Sequence, residues 1–333
     1  MKARVDIKYW VITLIIFVLG GCVHKELCED HSHVERILIN FDWSKSPEAN
    51  PKVMRLYMYN QNNSNCEIYE LPKDGGIIDI QKGIYNIICF NWDNLDATFL
   101  LDDATFETHT LATREGDYIE DVVTRSIVKY IKSQEDTVRI EPNMMWGASG
   151  KGVQIEQNDG DIVSYDSQSV NSTIGMPTIT IFPSPIVARY TFEINKVTNI
   201  RSAAKLRGTL SGMGATLMMS DMTTDPSYTA KVPFEPKMNV ERNQIYGEFF
   251  TFGNFDNINN VKKEFSLFVW LSNKEKYLYR WDVSSQVSSA SDKYNVHIVL
   301  DSLTLPETFD VGGNGGFDVD VEGWDEEYID VEM

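Results

Sequence analysis

The chain has 333 residues, with 30 Lys and Arg against 49 Asp and Glu, and a formal net charge of −19. That length predicts two domains of ordinary size, each able to bury a core. So acidic a surface repels nucleic acid and anionic lipid headgroups, and excludes both as expected partners.

The first element is an apolar run from Tyr9 to Leu19, preceded by Lys2, Arg4 and Lys8 and followed by Gly20, Gly21 and Cys22. At roughly 11 residues it is too short to span a bilayer, which takes about 20. It has the length and flanks of a secretion signal. Residues 1–21 resemble a bacterial lipoprotein signal peptide. The resemblance implies cleavage before Cys22, acylation of its thiol and new amino group, and attachment to the outer membrane by lipid. Residues 22–33 read as a polar tether, whose acids loosely resemble the surface-export signals of Bacteroidetes lipoproteins. His31 and His33 within it read as solvated side chains. No metal or other cofactor is expected.

Strands follow. Ile37, Ile39, Phe41 and Trp43 alternate with Leu38, Asn40 and Asp42, the period of a half-buried strand. Residues 53–59 form a second, with Leu56 and Met58 on one face and Tyr57 and Tyr59 on the other. Residues 73–76 (KDGG) make a turn, residues 77–80 a short strand, and residues 83–91 a longer one rich in β-branched and aromatic side chains. Cys66 and Cys89 lie in or beside these strands. In an exported chain they are either one disulfide or two separate thiols, and the sequence leaves both open. The pairs Tyr118/Ile119, Val122/Val123, Ser126/Ile127 and Tyr130/Ile131 recur every four residues, which predicts a helix of about four turns. Residues 154–173 are poor in large apolar groups and predict a boundary between domains at 34–165 and 174–306.

In the second domain Ile179 and Ile181 alternate with Thr178 and Thr180, and Pro183 and Pro185 mark an edge or bend. Tyr190, Phe192 and Ile194 begin another strand. Further strands are predicted at 214–219, 245–252, 265–271, 277–283 and 295–300, with a short helix over 200–206. Gly212 and Gly214 mark a bulge or a close backbone approach. Residues 307–333 hold ten acidic residues and no Lys or Arg. There, Gly312–Gly316 is a flexible joint before an alternating run of Phe317, Val319 and Val321. Short, closely spaced strands joined by turns predict a mainly β chain of two tandem antiparallel sandwiches with one or two short helices.

Catalytic chemistry finds little support. His109 and His297 lie beside no nucleophile motif. Asp102 and Asp103 read as solvated acids, not a glycosidase pair, and the tail acids lack the spacing of a calcium loop. No enzyme is expected. Trp92 and Trp146, near predicted loop ends, are the two rings suited to stacking on a sugar. Trp270, in a continuous apolar run, reads as core.

Taken together, the Cys22 box, VMRLYMYN, GIYNIICFNWDN, MMWGAS, IFPSPIVARYTFEI and the closing GGNGGFDVDVEGWDEEYIDVEM resemble the fimbrillin-like lipoproteins of Bacteroidales, in the FimB/Mfa2 anchor or accessory branch. The likeness covers nearly the whole mature chain. It implies transthyretin-like sandwiches and assembly with other fimbrial subunits by strand donation. Phe317, Val319 and Val321 then become a candidate donor strand, the alternative being their return to their own second domain. In the polymerising branch a protease cuts after an early Arg. Arg36 stands in that place, and an anchor that keeps its lipid is expected to leave it intact. The expected function is a lipid-anchored structural or adhesion subunit of a surface fimbria. The alternative is a surface glycan-binding lipoprotein of a nutrient-uptake system.

Overall fold

The period-two runs become strands in the computed structural model, which describes residues 34–63, 65–93, 96–116, 137–155, 169–173, 176–225, 229–253, 261–308 and 330–332. The first half carries β1 (Val34–Phe41), β2 (Val53–Asn60), β3 (Cys66–Pro72), β4 (Gly75–Gln81), β5 (Gly83–Asn91), β6 (Thr98–Asp102), β7 (Thr110–Thr113), β8 (Thr137–Val138), β9 (Trp146–Ile155), β10 (Ser169–Thr173), β11 (Met176–Ile181) and β12 (Ser184–Pro185). The second carries β13 (Ala188–Asn195), β14 (Ala203–Gly214), β15 (Thr216–Met218), β16 (Thr223–Thr224), β17 (Thr229–Phe234), β18 (Lys237–Asn239), β19 (Gln244–Thr251), β20 (Glu264–Leu271), β21 (Lys276–Asp282), α1 (Ser284–Ser288), β22 (Asn295–Asp301) and β23 (Asp330–Glu332).

The first sandwich packs a sheet of order β10-β11-β1-β4 against one of order β12-β9-β5-β2-β3. Its core takes Ile37, Ile39 and Phe41 from β1, Leu56 and Met58 from β2, and Ile87 and Cys89 from β5. The second packs β18-β19-β13-β22 against β23-β21-β20-β14-β17-β8, around Tyr190, Phe192, Phe234, Phe249 and Phe265. A fifth sheet of order β16-β15-β7-β6 explains why β2 is buried on both faces. Tyr57 and Tyr59, on the face away from the first core, meet Phe106 and Leu111 from the β6–β7 region and Leu217 and Met219 from the β15 region.

The two halves share strands. β7 pairs with β15, opposing Leu111 to Leu217. β8 extends the second sandwich by pairing in parallel with β17. β11, expected in the C-terminal domain, instead pairs in parallel with β1, and Ile179 and Ile181 pack in the first core. The alternation was legible, but the choice of sheet was not, because a period of two does not say which distant strand is the partner.

The predicted helix over 200–206 is a single 3-10 turn, Ile200–Ser202. Ala203 then begins the long strand β14, because Leu206 and Leu210 turn into the core at strand spacing. A short helix does occur later, as α1. Gly212 sits at a register shift in β14 with φ +74°, and a Cβ there would stand 2.4 Å from the Lys262 carbonyl oxygen, so the expected bulge is present. The helical stripe at 118–131 lies outside the described residues. No helix among the described residues is long and apolar enough to cross a membrane.

Candidate assembly surface

A sheet edge presents unpaired N–H and C=O groups and is a template for another strand. Among the described residues most sheet edges are short or covered. β12 pairs along the start of β9, β8 along β17, and β23 lies in parallel on β21, opposing Leu278–Arg280 to Asp330–Glu332. The last strand therefore returns to its own second sandwich. Phe317, Val319 and Val321, the candidate donor residues, lie outside the described residues, as do Cys22, His31 and His33.

The edge of β22 is closed by a side chain. The amide of Gln286 in α1 donates from Nε2 to the Val299 carbonyl at 3.0 Å and accepts the Val299 N–H on Oε1 at 2.8 Å. One carboxamide carries both a donor and an acceptor, so it imitates the next strand at the middle of β22. Val287, buried in the second core, fixes α1 for this contact. Nothing in the run Ser-Ser-Gln-Val-Ser announces the role. Substitution Q286A is expected to speed hydrogen exchange at the Val299 amide and to cost about 1 kcal/mol. An unchanged exchange rate would show that the amide does not guard the edge.

Arg36 lies on β1, opposite Asp79 of β4. Its Nε and one terminal nitrogen meet the two Asp79 oxygens at 2.8 and 3.1 Å, the fork geometry that favours arginine at carboxylates. That hydrogen bond holds the Asp79 carboxyl below its usual range. The Arg36 side chain is 66% exposed, yet its backbone belongs to a ladder.

Cys66 and Cys89 are both free. They flank β2 on opposite sides, Cys66 opposing Tyr59 and Cys89 opposing Leu56. Cys89 packs in the core between the first two sheets, while Cys66 packs on the other face with Tyr57 and Tyr59. Two strand spacings of about 4.8 Å each already exceed the Cα reach of a disulfide. Burial pushes the Cys66 thiol up to about 11 and the Cys89 thiol up to about 12, so both stay protonated and weakly nucleophilic.

The two tryptophans do not share a face. Trp92 packs beside Phe90, with the Arg55 guanidinium 3.3 Å above its ring, on the side that the fifth sheet covers. Trp146 is two residues from Ala148, which belongs to the opposite core, so alternation sends it to the other side of the sheet. Trp270 is half-buried with Lys205 Nζ 5.9 Å from its ring centre. It alternates with the core residues Val269 and Leu271 and stands outside that core.

His109 is fully buried between Tyr57, Tyr59 and Phe90. Tyr59 Oη donates to the Asp103 carbonyl at 3.0 Å and lies 2.7 Å from His109 Nδ1. The proton between Tyr59 and His109 therefore sits on Nδ1. Nε2 is buried without a partner, and burial lowers the imidazole pKa to about 4. The ring is a neutral packing element of the fifth sheet's dock. Among the described residues no group of three or more His, Cys, Asp or Glu is placed to hold a metal ion.

A model of the family described as "Domain of unknown function (DUF5119)" matches residues 21–235. The structure is similar to that of a candidate adhesin from Bacteroides ovatus, at 15% identity and a TM-score of 0.64, covering 86% of this chain and 98% of that one. It is also similar to the fimbrial anchor protein Mfa2 from Porphyromonas gingivalis, at 11% identity and a TM-score of 0.50, covering 80% and 90%. At these identities the likeness is one of fold. No curated protein sequence matches the chain.

Proposed function

Because the chain belongs to the DUF5119 family and folds as a pair of strand-sharing sandwiches, we propose that it is a lipid-anchored, non-enzymatic subunit of a cell-surface fimbria, serving as anchor or accessory piece. The observation that carries the reading is the fold, which a fimbrial anchor protein shares over most of both chains. It is joined to the Gly20-Gly21-Cys22 box behind a leader of roughly 11 apolar residues, too short to span a membrane. Cys22 carries the acyl chains, which anchor the body to the outer membrane, since each buried methylene contributes about 0.8 kcal/mol. Contacts with neighbouring subunits run through sheet edges, where main-chain hydrogen bonds supply affinity and alternate side chains supply choice. Arg36 stays uncut, because its backbone is held in the β1–β4 ladder and its side chain in the pair with Asp79.

Growth with an alkyne analogue of palmitate tests the anchor. The wild-type chain is expected to take up label and partition with membranes, and C22S to do neither. Label retained by C22S, or a surface form whose sequence begins at Ile37, would remove the anchor from the proposal. The sugar-binding alternative needs a shared aromatic platform, and Trp92 and Trp146 sit on opposite faces of their sheet.

A further inference from the structure

Among the described residues, three sheet edges run to seven residues: β3, β4 and β22. A side chain closes β22 at its centre, as described above. β4 is flanked by two tyrosines that reach across from the facing sheet: Tyr69 Oη lies 3.0 Å from the Asp79 carbonyl oxygen and 2.6 Å from Glu67 Oε2, which share its one proton, and Tyr85 Oη donates to the Gln81 carbonyl at 2.8 Å. β3 is different.

The direction of its backbone follows from its neighbours. Asn60 N–H donates to the Asn65 carbonyl, on the β3 side, and Trp92 N–H donates to the Val53 carbonyl, on the β5 side. Peptide groups alternate along a strand, so Met54, Leu56 and Met58 face β3. Their partners Leu71, Tyr69 and Glu67 face back to β2. Cys66, Ile68 and Glu70 then turn N–H and C=O outward. Among the described residues, no hydrogen bond reaches the outward groups of Ile68 and Glu70. The Ile68 side chain is 51% exposed. Glu70 and Cys66 share its face, with Asp103 close enough to act on the Cys66 thiol, and Glu67 stands on the opposite face of the strand. Arg55 answers Glu70 from within the sheet, and the chain as a whole carries −19.

We propose that β3 is an acceptor edge for an extended segment of another protein in which apolar and basic residues alternate. This deepens the fimbrial reading and rests on it for the identity of the partner. The added segment hydrogen-bonds the outward groups of Cys66, Ile68 and Glu70. It sets an apolar side chain beside Ile68 and, on the opposite face of the sheet, a basic one within reach of Glu67. Pro72, which has no N–H, ends the acceptor on one side. The acidic tail of a second copy is repelled by the same charges and is not the occupant.

The probe is an acetylated octapeptide of alternating Lys and Val, added to the full mature chain, with an alternating Glu–Val octapeptide and a peptide of residues 317–333 as comparators. Hydrogen exchange is expected to slow at the Cys66, Ile68 and Glu70 amides with the Lys–Val peptide, and not with the acidic ones. I68P removes one outward donor without touching the β2 ladder, a position where an edge strand accepts proline. It is expected to weaken binding at least about tenfold and to leave the melting temperature near that of wild type. I68K keeps the N–H and adds a like charge, so it is expected to weaken binding even if I68P folds poorly. No binding, binding without protection of β3, equal affinity for I68K, or preference for the 317–333 peptide would each overturn the proposal. Recovery of the wild-type chain in sheared surface fimbriae reads out the fimbrial role separately. Absence there with β3 protected by the peptide sinks the role and keeps the edge, and presence there with β3 unprotected does the reverse.

Discussion

Replacing Phe234 by alanine is expected to lower the unfolding free energy by about 3–5 kcal/mol. The ring is the hub of the second core. It stacks on Phe249 at 4.2 Å between centroids and 5° between planes, and meets Phe192 at 5.1 Å and Phe265 at 5.4 Å. Its other face lies over Gly208, its register partner in β14. A Cβ on Gly208 would stand 2.0 Å from the Phe234 ring, so the glycine exists to admit the ring. F234A leaves a cavity that a glycine cannot fill and that four packed strands resist closing. Urea unfolding followed by near-ultraviolet dichroism measures the loss. G208A is expected to be destabilising as well, by about 1–3 kcal/mol from overpacking. The double variant is expected to cost less than the sum, because the new methyl then occupies the vacated space. Strict additivity would show that the two sites do not share one packing problem.

The second large effect is on acid stability. His109 titrates at about 4 in the folded chain because burial disfavours its charged form, with Asp103 and Asp102 opposing that shift only in part. An unfolded histidine titrates near 6.5. Between those values the unfolded state binds more protons than the folded one, so stability rises with pH across that window. Read downward, the loss begins as pH falls below about 6.5 and is complete below about 4, amounting to roughly 3 kcal/mol. Protonation would also place an N–H on Nε2, which has no partner. H109Q is expected to flatten the wild-type slope between pH 6.5 and 4 while leaving the carboxylate-driven loss below it. Denaturation midpoints across that range for both proteins decide the matter, and parallel curves would show that His109 does not titrate differently on folding.

Individual strands were legible because their cause is local. Tyr190, Phe192 and Ile194 alternate, and all three are buried. Leu56 and Met58 part from Tyr57 and Tyr59 onto two faces. The glycines of SGMGATL gave away the bulge, since positive φ and close approach are local demands. What escaped was long-range. Thr110–Thr113 carries no mark that its partner lies in β15, and Ile179 and Ile181 would suit either core. Trp270 misled because its neighbours Val269 and Leu271 are core while it faces the other way. The candidate surface was legible only in outline: open edges follow from any sandwich, but Gln286 at Val299 and the tyrosine hydroxyls at β4 depend on side chains brought together by the fold.

The setting of β1 has a mechanical consequence. It is the first described strand, and it is gripped by β4 on one side and by β11 on the other. A pull on its N-terminal end directed along the strand axis runs parallel to both ladders. Its ladder contacts are therefore loaded in shear and must slip together; they cannot be unzipped one after another. In the proposed anchor role, a body dragged by flow at the far end of a filament would keep its hold until that whole seam gave way.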